Sequence, residues 1–337
     1  EGSQPPLYYF LSALATFWID TSDMSDVRHL NPHVDNGIAT PDGNVNLVVH
    51  HPEREAFPWR GAVLAVHVAR FLSIAMAGFG VALTYFVVRE VLPGRPALAL
   101  GATAVHAFTP MVAFIAGSVN NDNLVVPLSS LALLMLFRLL RRRTTEQETL
   151  RQAAARYLSL GVVLGLAALT KASSLALTLL PALVVTVRAV RRGRSDPVEG
   201  WKAFLIGGFA TLLPVLAISG WWYLRNLRLY GDLTGLNAFI QVLGKREVPA
   251  GLAQLWRERY SFLAGYWGNF GGLNVPMAPW VYRVLNASLV VAGAGLVVTL
   301  VRSIGWTVRG RMGEAERRDA GREADASNSE LGRSART

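Results

Sequence analysis

An all-α polytopic membrane protein, with about seven transmembrane helices and two long extracytoplasmic loops, is the fold class the sequence predicts. Three observations point there. Apolar residues make up 52% of the 337 and charged residues 17%, with a mean hydropathy of +0.32, outside the range of ordinary soluble domains. Runs close to the roughly 20 apolar residues that a bilayer requires recur along the chain. Basic residues gather in alternate connections between those runs, the pattern of cytoplasmic loops.

The elements follow in order. Residues 1–60 form the first outer segment. Leu7, Phe10, Leu11, Leu14, Phe17 and Trp18 keep helical spacing after Pro5 and Pro6, which predicts a short helix lying in the membrane interface. The following DTSDMSDVRHLNPHVDNGIATPDGNVNLVVHHPERE has loop composition, and loops over a rigid scaffold commonly carry function. Transmembrane helices occupy 61–224, beginning with spans at 61–88, 97–118 and 121–140.

The apolar stretch 157–190 is too long for one pass and is interrupted by Lys171. Arg156 before it and Arg188, Arg191, Arg192 and Arg194 after it share one side if it is a hairpin of helices 157–170 and 172–190. Arms of that length reach only about 21 to 28 Å, which sets the turn slightly inside the membrane boundary, facing a cavity. A span at 203–224 leads into the second outer segment, 225–280, rich in aromatics and glycines of the interfacial-belt type. The last span is 281–303, and the polar 304–337 is expected to be a disordered cytoplasmic tail. Because EGSQPPLYYF already has outer-loop composition, a further N-terminal helix is expected ahead of Glu1.

The predicted inner loops hold Arg89 and Arg95, then Arg138, Arg141, Arg142, Arg143, Arg151 and Arg156, then Arg188, Arg191, Arg192, Arg194 and Lys202. The short outer turns hold Lys171. That asymmetry places the C-terminus in the cytoplasm. It also accounts for the net charge of +10 and the pI near 10.4 without nucleic acid, whose grooves need basic residues interleaved with aromatics. The absence of cysteine excludes disulfides, thiol nucleophiles and cysteine-ligated iron–sulfur clusters. There is no Walker loop, no GxGxxG opening a helix and no HExxH pair.

Polar residues at the outer face are the candidates for chemistry. GSVNNDNLVV, residues 117–126, sets Asn120, Asn121, Asp122 and Asn123 at the mouth of a span. One of them suffices to cap a helix, and a carboxylate at a membrane boundary is a functional candidate by default. Lys171 in LTKASS is either a snorkelling side chain or an anion ligand in an outer cavity. Arg225, after Trp221 and Trp222, is either a belt anchor or a bidentate phosphate ligand. His29, His33, His50 and His51 lie in a loop, without metal-ligand helical spacing. Acidic and basic groups converging at the outer face suit chemistry on a lipid-linked phosphate.

The stretches QPPLYY (4–9), HPEREAFPWRGAVLAVHVARFLS (51–73), GSVNNDNLVVPLSSLALL (117–134), GLAALTKAS (165–173), WWYLRNLRLYGD (221–232) and YWGNFGGLNVP (266–276) resemble polytopic bacterial glycosyltransferases of the GT-C class. The closer likeness is to a bacterial branch beside the protein O-mannosyltransferase-like members, and it covers most of residues 1–285. The resemblance implies residence in the bacterial inner membrane. It also implies transfer of a sugar, with inversion, from a polyprenyl-phosphate donor to a glycan, lipid or protein acceptor on the outer face.

In that class the key carboxylate follows the first membrane helix, and Glu1 matches its position best. A later acidic position that helps hold the donor phosphate or a divalent cation, Mg or Mn, is matched by Asp122. Lys171, Arg225, Asn120 and Asn121 are then expected at the donor phosphate. His51, Asn226, Asp232 and Trp267 are expected in the substrate loops. The rival expectations are a transporter or flippase of lipid-linked sugars, whose kind tends to show repeated halves and broken helices, and a non-catalytic membrane scaffold.

Overall fold

The computed structural model describes residues 4–34, 44–142, 149–244 and 248–302. It divides into a unit reaching to Pro276 and a second from Met277 onward. The first outer segment holds helix α1 (Leu7–Thr16), the short α2 (Met24–Val27) and α3 (Pro52–Glu55), and a two-stranded ladder of β1 (His29–Leu30) with β2 (Val48–Val49). The bundle comprises α4 (Gly61–Val91), α5 (Pro96–Phe108), α6 (Pro110–Ala116), α7 (Asp122–Arg141), α8 (Leu150–Ala168), α9 (Leu179–Gly193) and α10 (Pro197–Tyr230). A 3-10 turn, Ala172–Thr178, leads into α9. Then come α11 (Leu236–Leu243), α12 (Leu252–Gly268) and an antiparallel ladder of β3 (Asn269–Phe270) with β4 (Val275–Pro276). The second unit holds α13, Pro279–Arg302.

Among the described residues five helices are long and apolar enough to cross a membrane, or six if the bent pair α5 and α6 is one span. The protein is therefore an all-α polytopic membrane protein. The run at 97–118 is not one straight helix. It bends by 63° at the Thr109–Pro110 break, because proline cannot continue the amide ladder and its ring crowds the preceding turn. The run at 203–224 belongs to a longer helix that starts at Pro197, where Asp196 accepts from the amides of Val198 and Glu199. The 225–280 segment is likewise mostly helical, holding the end of α10, α11 and α12.

The 157–190 stretch is a hairpin as the charge pattern demands, with longer arms. The first arm, α8, begins at Leu150, its end capped by the Thr149 hydroxyl. Arg151 and Arg156 leave α8 less apolar than the five crossing helices, yet it packs beside α7, and Asn121 reaches the carbonyl of Thr170 just past its far end.

Glycines draw the helices together. Gly161 and Gly165 lie one turn apart on α8, and a Cβ at Gly161 would stand 2.3 Å from the backbone oxygen of Thr211 on α10. This small-residue spacing lets helix backbones approach where no hydrophobic force separates protein from lipid tails. The core above the contact joins Leu136 and Leu139 of α7, Tyr157, Leu160 and Leu164 of α8, Val184 and Val185 of α9 and Val215 of α10.

The two ends of the bundle differ. At one end Arg188, 6% exposed, donates to the carbonyls of Leu139 at 2.5 Å and Arg142 at 3.3 Å, and Arg191 donates to that of Leu140 at 3.0 Å. These guanidinium groups satisfy the carbonyls that a helix leaves open at its C-terminus. Arg138 and Arg141 pair there with Glu90 of α4. At the other end α1 is more than an interfacial helix. Tyr8 is fully buried and bonds Ser73 of α4 at 2.6 Å, while Leu7 donates its amide to Leu169 at 3.0 Å. Its remaining face, with Phe10 and Leu14, is exposed, as are Phe17 and Trp18 just beyond its end.

The start of α4 is capped from a distance. Gly61 has φ +52°, and a Cβ there would fall 2.1 Å from Oδ2 of Asp23, whose Oδ1 accepts from the Ala62 amide at 2.8 Å. Asp23→Ala is expected to cost about 1 kcal/mol, read as a melting point lower by about 2 to 4 °C. Asp23→Asn, which keeps the acceptor, is expected to melt with the wild type.

Candidate functional site

At the end of the bundle away from the arginines, each asparagine of the NNDN turn is spent on a different segment. The side chain of Asn120 accepts from the amide of Asp122 at 2.8 Å. Asn121, 6% exposed, donates to Thr170 O at 3.2 Å and to Gln4 Oε1 at 3.4 Å. Asn123, 3% exposed, donates to Ile115 O at 2.9 Å and Ser118 O at 3.0 Å. The capping expectation needs correction. Asn121 is the N-cap residue but its side chain makes no cap bond, and Asp122 stands in the first turn, where the macrodipole favours an anion. The turn is a junction between α6, α7 and the α8 hairpin.

This junction delivers Asp122 to Lys171. The ammonium of Lys171 donates to Oδ1 of Asp122, in an ion pair whose side chains are 33% and 34% exposed. Lys171 is presented by the turn between α8 and the 3-10 segment, where its amide still bonds Ala167 O at 3.0 Å. Asp122 also lines a cavity of about 600 Å³ whose walls are Ala77, Ala102, Val105, Met111, Val112, Ile115 and Val126, with His106, Thr109, Asn123 and Tyr266 as polar members. The Thr109–Pro110 bend forms part of its wall. His106 is held by Thr84 of α4, Nδ1 to Oγ1, at 2.7 Å.

Arg225 and Asn226 stand on the last turns of α10, which Tyr223 ties to α8 by donating to Ala168 O at 2.7 Å. Trp267 is buried at the end of α12, its ring edge-on to Tyr266 at 4.9 Å, and so borders the cavity wall. Trp222 and Tyr223 set the end of α10 against the end of α8 before the Lys171 turn, while His51 and Asp232 are each held in a turn of their own. His51 belongs to the β1–β2 corner, its Nε2 3.0 Å from Nδ1 of His29 and its amide on Glu55. Those bonds, the His51 amide first and the His50 side chain next, hold the Glu55 carboxyl below its ordinary value. Asp232 builds the turn after α10, accepting from the amides of Asn237 and Thr234 and from the Thr234 hydroxyl, and these bonds lower its pKa.

Glu1 lies outside the described residues. No group of three or more His, Asp or Glu gathers into a metal-holding cluster among the described residues, and at Asp122 the cationic partner is Lys171.

Residues 63–311 match the DUF2142 family of predicted membrane proteins. The chain belongs to that family. No curated protein and no solved structure matches it. The DUF2142 match takes in Asp122, Lys171, Arg225, Asn226 and Trp267, and begins after α1 and His51. Two residues of the cavity wall escape sequence reasoning, His106 and Tyr266; the NNDN turn names Asn123 but not its bond to Ile115 of α6. The signal for His106 was an imidazole inside LALGATAVHAF, where an ionisable group is expensive. Tyr266 carried none beyond its place in an aromatic belt.

Proposed function

We propose that the protein transfers a sugar from a polyprenyl-phosphate donor to an acceptor hydroxyl at the Asp122–Lys171 mouth of the cavity. One observation carries this reading: an acid and an ammonium, each about one-third exposed, stand beside a largely apolar cavity of about 600 Å³. A substrate with a hydrocarbon tail and a phosphate head matches both parts. The GT-C resemblance supplies the reaction.

The acceptor oxygen attacks the anomeric carbon as the bond from that carbon to the phosphate oxygen breaks. The electron pair leaves on the phosphate, and the acceptor's proton passes to Oδ2 of Asp122. General-base assistance of this kind is worth about 100- to 10,000-fold. The Lys171 ammonium has three N–H donors and spends one on Asp122, so it can neutralise the charge that develops on the departing phosphate. Under the positive-inside rule the arginine-rich end faces the cytoplasm and this chemistry faces out of a bacterial inner membrane.

The bent span α5–α6 is the one feature that favours the rival reading of a lipid-sugar transporter, since transporters break helices at their binding sites. Consumption of a polyprenyl-phosphate sugar by the full chain in detergent, where no gradient exists, separates the two. Turnover with release of polyprenyl phosphate is expected. Binding without consumption across a panel of acceptors favours transport.

A further inference from the structure

Trp222, Arg225 and Asn226 fall at i, i+3 and i+4 on α10 and so share one face. Trp222 is 7% exposed and Asn226 fully buried. The Arg225 guanidinium lies 4.6 Å from the centre of the Trp222 ring and donates to Oδ1 of Asn226 at 3.2 Å. A guanidinium accepts nothing, so this bond sets the amide with its oxygen toward Arg225 and its two N–H protons elsewhere. Those protons, on Nδ2, have no hydrogen-bond partner, and neither does the indole N–H of Trp222.

Buried orphan donors are rare because each forfeits its hydration, and in native proteins they mark a missing water, ion or ligand. Here both orphan atoms are donors, one turn apart, beside a fixed positive charge. A group with several acceptor oxygens and negative charge satisfies all three at once. The neighbourhood is also the right one: Trp222 and Tyr223 pack with Ala168 and Leu169 and against Ala172, the residues flanking the Lys171 turn.

We propose that the Trp222–Arg225–Asn226 face of α10 is an oxyanion subsite for the phosphate of a polyprenyl phosphate, holding its non-bridging oxygens both in the sugar diester and in the monoester that leaves. The proposal deepens the reading above and rests on it only for the lipid that carries the phosphate. It divides the labour at the site. The donor phosphate belongs between the end of α10 and the Lys171 turn, and Asp122 is left to the acceptor's proton.

The test measures binding by the full chain in nanodiscs of uncharged lipid, with farnesyl phosphate, inorganic phosphate and farnesol as probes. Trp222→Phe keeps an aromatic ring and removes the one N–H together with part of the indole's packing; Asn226→Leu keeps the branched shape and removes two N–H donors, along with the oxygen that accepts from Arg225. Farnesyl phosphate is expected to bind each variant about ten-fold more weakly than wild type, the usual worth of a hydrogen bond to a charged group, and farnesol equally. The melting temperature of Trp222→Phe is expected to fall by a few degrees, since the smaller ring leaves part of the packing against Ala168 and Leu169 unfilled, and farnesyl phosphate is expected to raise it less than it raises that of the wild type.

The same loss with inorganic phosphate identifies a free-phosphate site and still supports the subsite. Equal affinity for farnesyl phosphate in wild type and both variants overturns it. So does an equal rise in the melting temperatures of Trp222→Phe and wild type on adding farnesyl phosphate, which assigns the indole proton to a structural water. If binding responds as expected but no sugar is ever transferred, the subsite stands and the proposed reaction falls. If sugar is transferred but binding does not respond, the reverse holds.

Discussion

Asp122→Asn is expected to slow sugar transfer by at least about 100-fold while the protein inserts, purifies and melts as the wild type does. The substitution keeps the shape of the side chain and an oxygen for Lys171, and removes the charge and the proton affinity. Lys171 loses its counter-charge, but with a third of its side chain exposed it turns toward water, and pairs this exposed contribute little to stability. A purely structural role for the pair therefore predicts no loss of turnover. Lys171→Met is expected to lower turnover as well, and the double variant to be no worse than Asp122→Asn alone, since both act on one transition state. Turnover of Asp122→Asn within a few-fold of wild type would return Asp122 to the role of a first-turn anion on α7.

Gly161→Val is expected to be the most damaging single change to the fold. The added Cβ lies 2.3 Å from the oxygen and 3.0 Å from the carbonyl carbon of Thr211, and 3.1 Å from Cγ of Pro214. These are main-chain and ring atoms, not the ends of flexible side chains, so α8 and α10 must part and draw the core around Leu160 and Val215 with them. Overpacking of this kind costs about 3 kcal/mol or more, which for a chain of this length lowers the melting temperature by about 6 to 12 °C. Gly208→Ala is the control, because its Cβ meets nothing within 4 Å. Equal melting of Gly161→Val and wild type would show that α8 and α10 do not touch as described.

Much of this architecture is legible in the residues, for identifiable reasons. Apolar run length alone reveals the helices now numbered α4, α7, α10 and α13, because the bilayer imposes it. The turn at Lys171 follows from arginines that must share a side. The start of α10 at Pro197 is also written locally, in Asp196 followed by proline, but a search for apolar runs passes over it. What is not written locally is which partner each polar group finds. Lys171 and Asp122 are 49 residues apart, and nothing near either one names the other. The same holds for His106 with Thr84 and for Tyr8 with Ser73. Trp222 illustrates a different limit: an aromatic-belt explanation suffices for its ring, and only its buried, unpartnered proton sets it apart from Trp221.

The grip of Arg188 on the carbonyls of Leu139 and Arg142 has a consequence for biosynthesis. Those carbonyls leave the ribosome 46 to 49 residues before the guanidinium that will occupy them. The end of α7 therefore stays unfinished while the whole α8–α9 hairpin is being made, and closes only when the return arm arrives. A chain stopped between α7 and α9 leaves these carbonyls to water, and only the completed hairpin replaces it with a guanidinium.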